Sequence, residues 1–403
     1  MRLLGKREAG EEGKEMKKIF TAILVFAVAF TGIIAPAALG DAELNPIMRV
    51  CIIDNTKNVH LTLMHGFKIY SIETGKVITE GSSLTIDVLA TKTGLRVGKK
   101  HVKSPGIRVK AVKSSNIYVN EKRFRGDIEI IRKENSKLMV INYIRLEDYL
   151  YGVLYHEVSH RWPMEALKVQ AIAARTFALY QARQNRLQPY DLRSDIYSQV
   201  YGGSGSEKWS TTKAVDATNG KVLAFQGDIF PAYYHATCAG HTEDATNLWS
   251  VNLPPLKGVE CNYCAHSPHY KWTRSIPLRE LRDMLRDNGY DIDDIESVKI
   301  LSRNKSGRVD KVDIQDNAGV SVNITAKDFR QLIGPNAVRS TRFDVEIKRG
   351  QLVITGLGWG HGVGMCQWGV FGMAKLGKKA NEILSYYYPG TEITTIDKLA
   401  AAK

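Results

Sequence analysis

Apolar and polar residues alternate in short runs from Met48 to about Asn142, as in Arg49-Val50-Cys51-Ile52-Ile53, Gly106-Ile107-Arg108-Val109-Lys110 and Lys137-Leu138-Met139-Val140-Ile141. Glycine and asparagine punctuate them at Glu73-Thr74-Gly75 and Val119-Asn120-Glu121. This pattern predicts an antiparallel, β-rich region. The period then changes. Leu146, Leu150, Val153, Leu154 and Val158 recur at close to helical spacing and predict a helix from Leu146 to His160. Pro163 can open a second helix, Met164 to about Gln184, because its missing N–H costs nothing in a first turn. Ala166, Ala171, Ala173, Ala174, Ala178 and Ala182 would let neighbouring backbones approach this second helix closely, so it is expected to be central and buried.

Strand signals return between Val215 and Tyr234, then at Ser297–Leu301, Val309–Ile314 and Leu352–Thr355, with a charged amphipathic helix at Arg279–Tyr290. A glycine-rich segment, Gly356 to Gly372, leads into a last helix and the ending Tyr386-Tyr387-Tyr388-Pro389-Gly390. With no βαβ alternation and no internal repeat, the expected class is α+β: antiparallel β-rich regions around a central pair of helices. The expected division is an N-terminal segment (1–42), a β-rich region (43–142) and a region of mixed helices and strands (143–395).

The N-terminal segment bears on location. Lys17 and Lys18 precede an apolar run from Ile19 to Leu39, which leaves through Ala35-Pro36-Ala37-Ala38-Leu39-Gly40. Positive flank, apolar stretch and small-residue exit are those of an export signal, and the run is also long enough to anchor in a bilayer. Glu8, Glu11, Glu12 and Glu15 fit such a flank poorly, so Met16 is the expected start of translation. Either outcome puts the remainder outside the cytoplasm, with a membrane contact if the segment is retained. The balance of 56 basic against 42 acidic residues, a net +14, favours polyanionic partners. No nucleic-acid module accompanies that charge, so nucleic acid is not an expected partner.

Two readings compete for one glutamate. His156-Glu157-Val158-Ser159-His160 matches the H-E-x-x-H pattern of zinc metalloproteases. Pro163, however, biases Trp162 away from the helix, and no third ligand follows at the longer spacing of that class. Alternatively, Glu157 projects from the end of one helix toward the start of the next. Tyr151, Leu154 and Trp162 could then raise its pKa and keep it protonated as a general acid. Taken bottom-up, an exposed helix-end carboxylate would be the simpler account.

Resemblance changes that balance. The stretch from Leu146-Glu147-Asp148-Tyr149-Leu150-Tyr151-Gly152-Val153 through Glu157 to Trp162-Pro163-Met164-Glu165-Ala166-Leu167-Lys168-Val169-Gln170-Ala171-Ile172-Ala173-Ala174-Arg175-Thr176 resembles the stage II sporulation protein D family, which includes the amidase enhancers. Further blocks follow in order: Arg125-Gly126, Gln199-Val200-Tyr201-Gly202-Gly203, Tyr234-His235-Ala236-Thr237-Cys238-Ala239-Gly240-His241-Thr242-Glu243, Gly358-Trp359-Gly360-His361-Gly362-Val363-Gly364-Met365, Gln367-Trp368-Gly369 and Tyr387-Tyr388-Pro389-Gly390. The resemblance implies a peptidoglycan lytic transglycosylase. Glu157 would protonate the glycosidic oxygen between N-acetylmuramic acid and N-acetylglucosamine, and the muramic 6-hydroxyl would close a 1,6-anhydro ring. One carboxylate can then suffice where ordinary glycosidases need two. Its expected substrate is glycan strands freed of peptide. The rival within the family is a wall-binding enhancer of an amidase.

Tyr149, His361, Gln367 and Trp368 are the expected glycan-lining residues, with Trp368 stacking on a sugar. A glycine-packed core turn is the competing account of Gly356–Gly372. Gln170 and Arg175 would orient Glu157, or else form a buried structural pair. Finally, Cys238-x-x-His241 is followed, after nineteen intervening residues, by Cys261-Asn262-Tyr263-Cys264, the spacing of a closed, structural zinc site. His235, His266 or His269 could replace His241, and a disulfide is the competing reading in an oxidising compartment. Cys51 and Cys366 are read as buried thiols.

Overall fold

The protein was analysed as a computed structural model that describes residues 45–112, 117–195 and 198–401. The N-terminal segment, 1–42, lies outside the described residues. Among those described, no helix is long and apolar enough to cross a membrane.

The alternating stretch folds into two sheets. In the seven-stranded one the strand order is Leu192–Arg193, Ile47–Thr56, Leu138–Arg145, Asp127–Arg132, Gly106–Ala111, Phe67–Ser71 and Val77–Gly81. All its pairings are antiparallel except the short one of Val50 with Leu192. A six-stranded sheet packs Val59, Leu61, Val88, Leu95 and Val119 into the same core. Residues 142 and 143, the expected boundary, fall inside one strand, and the core continues past them into the helices.

Two helices follow: α1, Leu146–Glu157, and α2, Met164–Gln184. α1 ends three residues before its expected end, because Val158 is extended (φ −141°, ψ 154°). α2 has the expected span and is apolar around most of its circumference, the signature of a helix buried on all sides. Ala171, Ala174, Phe177 and Ala178 join the sheet core, while Ala166, Val169, Ile172 and Ala173 join a second core. That second core contains Cys238, Cys261, Cys264 and Cys366, with Met365 and residues of the helices α5 (Gln367–Lys375) and α6 (Ala380–Tyr387).

Residues 271–357 form a lobe with its own core, inserted between Cys264 and Cys366. Two three-stranded antiparallel sheets pack there against α3 (Leu278–Asp287) and α4 (Ala326–Ile333). Sequence patterning places α3 and several of its strands but not α4.

Candidate active site

Glu157 is the last residue of α1, and the chain leaves the helix immediately after it. The residue is half-buried at the surface, but its carboxyl is enclosed deeply enough to lose most of its hydration. Burial is the dominant influence and pushes its pKa up to about 7. Three donors oppose this: the Val200 N–H, the Gln367 amide and the Tyr234 hydroxyl. Together they favour the charged form without restoring ordinary carboxylate acidity.

Each donor is itself fixed from behind. The Gln199 amide nitrogen donates to the Tyr234 hydroxyl at 2.9 Å, and the Tyr149 hydroxyl donates to the Gln199 amide oxygen at 3.0 Å. Gln199 also donates to the Ala174 carbonyl of α2 at 3.2 Å. On the other side, Gln367 Nε2 donates to Gln170 Oε1 at 3.3 Å. Two glutamine-centred chains therefore stand behind the groups that act on Glu157, one anchored in α1 and α2 and the other linking α2 to α5.

The expected site residues divide accordingly. Gln170 and Gln367 join Glu157's network. Tyr149 is fully buried, so it supports Tyr234 through Gln199 and does not face a ligand. Arg175 is also fully buried. It makes a two-pronged pair with Glu147, Nε and Nη2 each at 2.7 Å from a carboxylate oxygen, and donates to the Lys221 carbonyl. That is the structural pair, and substrate contact by Arg175 is excluded by its burial. His361 Nε2 lies 3.0 Å from the Tyr234 carbonyl and Nδ1 accepts from the Val363 N–H. Burial holds this imidazole neutral, its pKa pushed down to about 3. It braces the backbone that carries Tyr234, away from the acid itself. Trp368 remains half-exposed and meets Trp162 and Phe371 edge-on, with ring centres 5.3 Å apart, while Trp162 and Phe371 are tilted against each other at 5.2 Å.

The glycine-rich segment is a packed turn. Gly364 (φ +68°) lies so close to the Tyr233 carbonyl that a Cβ would sit 2.1 Å from it. Gly362 (φ +90°) similarly leaves room for the Arg308 guanidinium. The metalloprotease reading fails on geometry: His160 lies beyond the end of α1, and His156 turns instead to the Ser206 hydroxyl at 2.7 Å. The two histidines do not share a helix face.

Cys238, Cys261, Cys264 and Cys366 are buried, and their sulfurs all lie within 4.8 Å of one another. His241, the expected fourth member, faces the Thr242 carbonyl at 2.5 Å and is not in the cluster. Cys366 takes its place, because strand Met365–Cys366 pairs in parallel with Tyr234–His235 and brings residue 366 beside the Cys238 turn. The sequence pattern also assigned no role to Gln199, Val200 or Tyr234. All three stand in the blocks that carry the resemblance, which was the available signal. Two surface depressions, one lined by residues including Ser71, Lys100 and His101 and another by Glu207, Lys208 and Trp209, include neither Glu157 nor the cysteines.

Comparison with known proteins agrees with the motifs. A family model described as Stage II sporulation protein matches residues 134–225, and a domain of unknown function matches 256–364, the whole inserted lobe with its flanks. An uncharacterized protein of Brachyspira hyodysenteriae is 34% identical over 88% of this chain and 94% of its own length. Stage II sporulation protein D of Bacillus subtilis is 30% identical over 77% of this chain and 93% of its own. The amidase enhancer of the same organism is 26% identical over 61% of this chain and 40% of its own. With the helix pair, the glycine turn and the closing tyrosines all in place, the chain belongs to the stage II sporulation protein D family.

Proposed function

We propose that the protein is a lytic transglycosylase acting outside the cytoplasm on peptidoglycan glycan strands, with Glu157 as its general acid. The observation that carries this reading is the carboxyl group itself: held by three donors, yet with a pKa of about 7. Near neutrality such a group is protonated in a large fraction of molecules and still acidic enough to give the proton up. Protonation of the N-acetylglucosamine O4 by Glu157 lets the muramic C1–O4 bond break. The muramic O6 then bonds to C1, and its hydroxyl proton returns to the Glu157 carboxylate. No water is consumed, so a single carboxylate can suffice.

Half-exposed Trp162, Trp368 and Phe371, next to Gln367, offer apolar faces on which sugar rings can stack. The net charge of +14 suits strands whose lactyl carboxylates have been exposed by removal of peptides. A second reading rests on the amidase-enhancer relative: a wall-bound protein that stimulates an amidase without cutting glycan itself. Incubation with peptide-free strands, followed by mass spectrometry, separates the two. Anhydro-muramic ends made by the wild type and not by Glu157→Gln support the enzyme. Intact strands, together with a faster amidase in a coupled assay, support the enhancer.

A further inference from the structure

We propose that Cys238, Cys261, Cys264 and Cys366 bind one thiophilic divalent cation of the zinc class through four sulfurs, and that the bound ion locks the neck of the inserted lobe to the element carrying Gln367. The sequence spacing supplies Cys238, Cys261 and Cys264 but not the fourth ligand. That ligand comes from the approach of Cys366 across more than a hundred intervening residues.

The spacing of the sulfurs fits an ion. A tetrahedral site with metal–sulfur bonds of about 2.3 Å has sulfur–sulfur edges of about 3.8 Å. Here Cys238 and Cys264 are 3.6 Å apart, and every pair in the set is within 4.8 Å. Four buried thiols from three separate chain segments therefore surround one point.

The backbone is arranged for thiolates. Cys366 caps α5, its sulfur accepting from the Gly369 N–H at 3.4 Å and from the Cys238 N–H at 3.3 Å. A helix N-terminus favours a charged sulfur over a neutral one. Ala239 adopts a left-handed conformation (φ +63°), followed by Gly240 (φ +118°). A non-glycine residue held there stores backbone strain that needs a compensating interaction.

Charge supplies an independent sign. Four thiolates around a dication leave two negative charges in the interior, and two guanidiniums stand beside them. Arg308 is fully buried and donates to the carbonyls of Cys238 (3.2 Å) and His241 (3.0 Å). Arg342 donates to the Ala239 carbonyl. Glu243 offsets part of the Arg308 charge through Ser306, which bonds both. The anionic cluster accounts for the remainder, since a buried cation is costly without a counter-charge.

Position gives the site its consequence. Cys261 and Cys264 precede the lobe's first strand, and Cys366 follows its last. Gln367, the next residue, donates to Glu157. A closed four-sulfur site has no open position for catalysis, so the ion acts by positioning.

The test uses the full-length chain purified under reducing conditions and loaded with zinc alone. Elemental analysis is expected to give one ion per chain, and X-ray absorption to show four sulfur neighbours. Loading with cobalt(II) is expected to produce the charge-transfer and ligand-field bands of a tetrahedral thiolate site. Cys366→Ser should lower zinc affinity by at least about 100-fold, while His241→Ala and Cys51→Ser leave it unchanged. A first shell containing nitrogen, metal loss in His241→Ala alone, or no ion bound by thiols that prove to be paired as disulfides would each overturn the proposal. The absorption measurement on the wild type decides the matter even if Cys366→Ser fails to fold.

Discussion

At Glu157, desolvation outweighs three hydrogen bonds, and that imbalance has a sign that can be checked. The folded-state pKa is about 7, against the ordinary glutamate value of 4.5. Below about pH 4.5 the group is protonated in both states and contributes no difference. As pH rises toward 7 the unfolded chain ionises first, so the native state loses stability across that window. Glu157→Gln removes this loss. The variant is expected to be more stable than wild type by about 3 kcal/mol at pH 8 and equal to it at pH 4, in chemical denaturation at both pH values. Tyr234→Phe acts in the opposite sense on the carboxylate: with one donor gone, the charged form is less favoured. The alkaline limb of the pH–rate profile should therefore move up, with a modest loss of rate. At this scale the glutamate itself was legible from its motif, but its donors were not. Tyr234 and Gln199 approach only because α2 and the strand at Tyr234–His235 meet in three dimensions.

Between elements, the Arg175–Glu147 pair ties α2 to the first turn of α1 and also accounts for the Gly220 N–H and the Lys221 and Val215 carbonyls. Removing one partner leaves a buried charge unpaired. Arg175→Met is expected to cost about 3–5 kcal/mol in chemical denaturation without shifting the pH profile of any remaining activity. A substrate-binding arginine would instead change KM with stability intact. The alanine-rich composition of α2 was readable because both of its faces are buried, so packing and pattern agree. The end of α1 was misread because Val158 continues the apolar spacing while the backbone has already turned. Helix Trp209–Asp216 escaped notice for a different reason: its Ser-Thr-Thr start has weak helical propensity. Burial of Thr211, Ala214 and Val215 overrides it. α4 is an eight-residue helix whose buried residues are Ala326 and Phe329, too little pattern to register in a window.

Across the whole molecule, the α+β class and its antiparallel bias follow from short alternating runs around one long helical stretch. The insertion of a separately cored lobe does not, because closure at its neck depends on residues far apart in sequence. Cys366 illustrates the point: as an odd fifth cysteine it looked like a packing residue, and only the parallel pairing of Met365–Cys366 with Tyr234–His235 gives it companions. The charge excess was legible from composition alone. Its expected consequence is that binding to peptide-free strands weakens steeply as salt rises, measured by sedimentation with the strands at two ionic strengths. Chemistry at Glu157 should lose little in comparison, since its partners are neutral donors shielded from the solvent. The account as a whole rests on a proton leaving Glu157 and a sugar hydroxyl, not water, completing the reaction. Digestion of peptide-free strands in oxygen-18 water tests this directly. It predicts 1,6-anhydro ends that carry no heavy oxygen and that Glu157→Gln does not form; reducing ends labelled with oxygen-18, or products undiminished in that variant, would contradict it.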